Sequence, residues 1–316
     1  FKLLNFIIAK VMNSLIIENI VINSEDQMNL GKVISVINQK GGVLKTTTVL
    51  HLGSALAKMG HKVLLIDLDV SQANLTISAI GPLDGESRGV LHAFFKDNSL
   101  NEVTYPTSQA NLFIVPSEIK YKGMTIPLDV ALSSQPGKDA ILKKLIRPVL
   151  TEYDFIIIDN GPTLGVATVN SLVASDYFMI PTIADYLSLV GVQKTMEIIE
   201  QIRENLEHPI ENLGLVLTMI DGRESIGKDS QVILNRAFKG KVFNTFIQRN
   251  SKFKELAQKQ KTIFDIEKNS EKGNKNYREL GEEVLCRLGM KAKAKFTNIM
   301  RKNVNTEVSA SVGSAQ

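Results

Sequence analysis

A β-branched run at residues 33–38 leads directly into Gln39-Lys40-Gly41-Gly42-Val43-Leu44-Lys45-Thr46-Thr47, and a helical pattern follows. A strand, a glycine-rich loop and a helix start in that order leave few folds open. Successive backbone N–H groups and the helix N-terminus offer partial positive charge to an anion. Gly41, Gly42, Val43, Leu44, Lys45, Thr46 and Thr47 therefore form a candidate phosphate cradle. Lys45 can extend to the β- and γ-phosphates of a nucleotide, and the Thr46 hydroxyl can ligate Mg²⁺.

The alternation continues along the chain. Apolar runs lie at 62–67, 112–116, 155–159, 177–181, 213–218 and 242–247. Helical spacing covers 45–59, 138–150, 167–174, 189–206 and 276–288. Continuous apolar strands separated by helices predict an α/β fold. Its form is a single doubly wound, mostly parallel sheet with helices on both faces. Ligands of such sheets bind beyond the C-terminal ends of the strands.

Two of those strand ends are acidic. The second run ends in Asp67-Leu68-Asp69, and alternate residues of a strand share a face, so both carboxylates can address one site. The run Phe-Ile-Ile-Ile ends at Asp159, an arrangement that holds Mg²⁺, usually through water.

The loop departs from the ordinary G-x-x-x-x-G-K-[ST] pattern, with Gln39 at the first glycine and Leu44 before Lys45. In its K-G-G-x-x-K-[ST] form, a deviant Walker A motif, it resembles the loop of the ParA/MinD family of dimeric P-loop ATPases. The resemblance extends over about residues 31–290. It implies ATP and Mg²⁺ as cofactors. Lys40 would cross a dimer interface to touch the partner's nucleotide phosphates, as a fixed cation where charge develops. Asp69 would position the attacking water and Asp67 would support the magnesium shell. The segment after Asp67 lacks the family's proline and is one residue longer before Gln72. The family pattern also places glycine at 44, so leucine in a left-handed turn there would cost about 1–2 kcal/mol.

Further along, Leu217-Thr218-Met219-Ile220-Asp221-Gly222-Arg223 resembles the T-M-x-D-x-R segment of partition ATPases. Ile247-Gln248-Arg249-Asn250-Ser251-Lys252 resembles their I-P-R-N-x-R stretch. By that likeness Arg223 and Lys252 would contact non-specific DNA. The charge distribution bears on the same region. Residues 222–302 carry 20 Lys and Arg against 9 Asp and Glu, a balance of +11, whereas the remainder has 17 against 24, or −7. A polyanionic partner or simply a solvated basic face accounts for this asymmetry.

The resemblance therefore implies a DNA-segregation ATPase for plasmid or chromosome. It would form an ATP-dependent sandwich homodimer on nucleoid DNA in the cytoplasm, with hydrolysis stimulated by a ParB-like protein. The alternative is a MinD-like, ATP-switched positioning ATPase at a membrane, motivated by the basic amphipathic pattern of residues 291–304. A membrane partner is disfavoured, because Thr297, Asn298 and Asn303 dilute that pattern. The single cysteine, Cys286, excludes an internal disulfide or a cysteine-rich cluster, and a reducing compartment is expected. Three segments are expected: an N-terminal extension over 1–30, helical or upstream of a start at Met28; an ATPase domain over 31–290; and a basic, then disordered tail over 291–316.

Overall fold

The computed structural model describes residues 30–84, 86–95, 97–117, 127–133, 135–221, 234–238 and 240–296. In chain order the strands and α-helices are β1 (Lys32–Val36), α1 (Lys45–Lys58), β2 (Val63–Asp67), α2 (Asn74–Ile80), α3 (Val90–Phe94), β3 (Tyr105–Pro106), β4 (Leu112–Val115), α4 (Leu128–Ser133), α5 (Ile141–Ile146), β5 (Phe155–Asp159), α6 (Val166–Ala174), β6 (Tyr177–Ile183), α7 (Tyr186–Leu206), β7 (Glu211–Thr218), α8 (Lys252–Lys259), α9 (Ile263–Ile266) and α10 (Lys272–Arg287).

Seven strands form one sheet in the order β3-β4-β2-β5-β1-β6-β7. Every pairing is parallel except β3 with β4, an antiparallel edge. β2 and β5 are buried along their whole length, which is why their sequences run without polar alternation. One face packs on α1, α8, α9 and α10 through Leu52, Leu56, Phe264, Tyr277 and Leu280. The opposite face packs on α3, α4 and α5 around Leu64, Ile66, Phe94 and Leu142, and farther along on α6 and α7 around Leu172, Phe178 and Val192. Helices thus cover both faces, as the sequence predicts.

Two elements differ from expectation. Residues 242–247 run beside β7 but are not a regular strand: isolated bridges join Leu215 to Val242 and Ile220 to Gln248. The cause is Glu283 of α10, whose carboxylate takes the N–H groups of Asn244 (2.9 Å) and Thr245 (2.8 Å). The single helix expected over 138–150 is instead α5 flanked by 3₁₀ turns at Lys138–Ala140 and Arg147–Val149, the second containing Pro148, which has no N–H to donate.

Residues 291–296 lie against the domain. Ala294 N–H donates to Met59 O, Lys293 pairs with Asp154 at 2.6 Å, and Phe296 meets Phe264 edge-on. Among the described residues, no helix is long and apolar enough to cross a membrane.

Candidate nucleotide site

The loop between β1 and α1 turns on two left-handed residues, Gly42 at φ 76° and Leu44 at φ 63°. Such residues turn neighbouring N–H groups toward a common concavity. The loop is anchored from below. The Thr218 hydroxyl, at the end of β7, lies 3.1 Å from Val43 O, and Asn38 accepts from Lys40 N–H at 2.9 Å while donating to Pro181 O. α1 begins at Lys45, with Thr48 N–H donating to Leu44 O.

Gly41, Gly42, Lys45, Thr46 and Thr47 line a cleft of about 220 Å³, which Asp69, Asn160 and Pro162 close from the other side. Lys45 is buried, and its ammonium donates to Lys40 O at 3.3 Å. Burial lowers its pKa, while Asp159 and Asp69 pull it back up.

Asp67 and Asp159 are register partners on the adjacent strands β2 and β5, and both are fully buried. Their surroundings differ. Asp67 accepts from Thr76 N–H (2.9 Å), the Thr76 hydroxyl (2.7 Å) and Asp69 N–H (3.0 Å). Burial pushes its pKa up to about 6 despite those bonds. Asp159 has no hydrogen-bond partner on either carboxylate oxygen. Burial and then the nearby Asp67 raise its pKa well above the carboxylate range, with Thr46 and Lys45 opposing. Two unpaired, buried carboxylate oxygens beside a threonine hydroxyl suit a hard dication. Among the described residues no group of three His, Cys, Asp or Glu forms a metal cage. The donor set therefore fits a magnesium ion that takes its other ligands from phosphate and water.

Asp69 lies just beyond β2, where the Ser71 hydroxyl donates to it at 2.6 Å. Lys40 turns the other way: its ammonium pairs with Asp185 at 2.8 Å and donates to the Ser188 hydroxyl at 2.8 Å. Asp185 is also the N-cap of α7, accepting from Ser188 N–H at 2.8 Å. Lys252 heads α8 far along the chain, its ammonium paired with Glu267 (3.3 Å) and Glu271 (3.1 Å). Arg223 lies outside the described residues.

The strand order, the loop and the acidic strand ends define a P-loop nucleotide site on a doubly wound sheet. Comparison with known proteins carries this further. Residues 31–212 match an AAA domain family, AAA_31. The chain is 33% identical over 256 residues to the sporulation initiation inhibitor protein Soj of Bacillus subtilis, covering 81% of this chain and 98% of that protein. It is 33% identical over 261 residues to the chromosome partitioning protein ParA of Myxococcus xanthus, covering 82% of this chain and 89% of the relative. Among solved structures, cobyrinic acid a,c-diamide synthase of Mycobacterium smegmatis, bound to ADP and magnesium, superimposes with a TM-score of 0.69 at 27% identity, over 85% of this chain and all of that one. The chain belongs to the ParA/MinD family of partition ATPases.

The residues that sequence reasoning missed are those that hold others in place. Asp185 and Ser188 grip Lys40, Thr76 saturates Asp67, and Asn160 closes the cleft. Only Asp185 left a trace in sequence, as a capping residue before a helical run.

Proposed function

We propose that this chain is an ATP-hydrolysing DNA-segregation switch of ParA type. The observation that carries the reading is the convergence of Lys45, Thr46 and Asp69 on one phosphate-sized cleft, with the unpaired Asp159 carboxylate buried behind Thr46 and Lys45. Lys45 and the loop N–H groups hold the triphosphate, and Thr46 and Asp159 hold Mg²⁺, which neutralises phosphate charge when bound. Asp69 accepts a hydrogen bond from the attacking water. The water oxygen bonds to the γ-phosphorus as the bond to the β–γ bridging oxygen breaks. ADP leaves with that electron pair, and the proton ends on inorganic phosphate.

ATP would join two copies, with Lys40 exchanging Asp185 and Ser188 for the partner's phosphates. That exchange makes the dimer depend on ATP, because only the triphosphate repays the lost ion pair. The dimer would carry the basic C-terminal third onto nucleoid DNA. The Lys252 ammonium is shared with two carboxylates, so the regional charge, more than this one side chain, supports the DNA reading. A ParB-like partner would accelerate hydrolysis and release the complex.

Light scattering and retention on non-specific DNA, each with and without Mg-ATP, test the reading in Asp69→Ala protein. The expected result is an ATP-trapped dimer whose DNA retention falls steeply with salt. A monomer at high concentration with ATP would overturn the switch. Retention on anionic vesicles but not on DNA would replace it with a membrane-positioning role.

A further inference from the structure

Asn160 follows Asp159 at the end of β5 and is only 2% exposed. Its Nδ2 donates to Val36 O and to the Ser35 hydroxyl, both at 3.0 Å. A carbonyl can only accept, so the nitrogen must face Val36 and the orientation of the amide is fixed. Ser35 Oγ in turn lies 2.8 Å from Ser171 Oγ on α6, which braces the arrangement from a second element. The opposite end of the amide, Oδ1, is buried and has no partner. An unpaired buried acceptor costs about 1–3 kcal/mol.

The position of Asn160 gives that acceptor a use. Asn160 lines both the phosphate cleft and an adjoining cavity of about 230 Å³, and Asp69 lines both as well. On one side stands Asp159 with its two unpaired oxygens. On the other stands Gly161, where an added Cβ would lie 3.6 Å from the Asp69 carboxylate.

We propose that Asn160 Oδ1 accepts a hydrogen bond from the water that attacks the γ-phosphate, making Asn160 a positioning residue for hydrolysis; this rests on the nucleotide reading above. The water donates one hydrogen to Asp69 and the other to Asn160, which leaves a lone pair toward phosphorus. A neutral amide suits the place. Asp67, Asp69, Asp159 and the triphosphate already concentrate negative charge, and a further carboxylate would repel the substrate. An amide oxygen orients water without adding charge.

The test separates rate from affinity. Single-turnover hydrolysis, Mg-ATP affinity from a fluorescent analogue, and the thermal midpoint with and without Mg-ATP are measured for the unaltered chain, Asn160→Ala and Ser35→Ala. Asn160→Ala is expected to hydrolyse at least about tenfold more slowly while binding Mg-ATP within about threefold of the unaltered chain. Its midpoint should still rise with Mg-ATP as the unaltered chain's does. Ser35→Ala removes one anchor of the amide and leaves Oδ1 in place. It should slow hydrolysis several-fold at unchanged affinity, and it decides the matter if Asn160→Ala fails to fold. An unchanged rate, or affinity lost in step with rate, overturns the proposal and leaves Asn160 a structural residue. Normal Mg-ATP binding by Lys45→Ala would instead remove the nucleotide reading, and this proposal with it.

Discussion

Leu44 offers a direct measurement of backbone strain in the phosphate loop. It sits at φ 63° and ψ 32°, immediately before α1, with its side chain half-buried against the core. An L-residue in this region carries about 1–2 kcal/mol of strain. Glycine carries none, but its freer unfolded chain costs about 0.5–1 kcal/mol relative to alanine. Comparing Leu44→Gly with Leu44→Ala removes most of the leucine packing from both variants, all but the Cβ, so these two backbone terms dominate the difference. The glycine variant should therefore be the more stable by about 0.5–1 kcal/mol, the reverse of the order at ordinary positions. Against the unaltered chain, relief of strain offsets the loss of a half-buried leucine, and Leu44→Gly should match it within about 1 kcal/mol. Urea unfolding with a slope of about 3 kcal/mol/M turns the glycine–alanine gap into a midpoint difference of about 0.2–0.3 M. Equal midpoints, or a more stable alanine variant, would refute the claim that the left-handed turn is strained.

Two further outcomes follow from carboxylates shifted in opposite directions. Asp159 holds its proton to higher pH than an ordinary aspartate because burial and Asp67 disfavour its charge, and a bound dication reverses that preference. Mg-ATP binding should release a proton and strengthen as pH rises toward the ligand-free value. Calorimetry in buffers of different ionisation enthalpy checks this, with Asp159→Asn as the silent control and pH-independent affinity as the contrary result. Glu283 has the opposite sign. Burial alone would raise its pKa, but the N–H groups of Asn244 and Thr245 and the Arg287 guanidinium outweigh it and hold the pKa below the usual glutamate range. Its contribution is present above the unfolded value and lost as pH falls through the folded one. Glu283→Gln should cost about 1–3 kcal/mol near neutrality, and the gap should close on acidification. A gap constant with pH would show that Glu283 acts by shape alone.

The local grammar of the chain determined the layered architecture. Uninterrupted apolar runs such as residues 63–67 and 155–159 can sit only between covering helices. The loop's residue types marked the anion-binding turn, and the family pattern located the strained position at 44. These features are legible because each depends on neighbours a few residues away. The tertiary structure decided what distant segments do to one another. Asp67 and Asp159 looked alike as acidic strand ends, yet Thr76 of α2 folds back to donate twice to Asp67, while neither Asp159 oxygen receives a hydrogen bond from the elements around it. Lys40 found Asp185 across 145 positions, and Glu283 drew residues 244–245 out of a would-be strand from 38 or more positions away. Which hydrogen bonds a buried polar group receives is set by the elements packed around it. That packing brings together groups far apart in the chain, so no short window of sequence contains it.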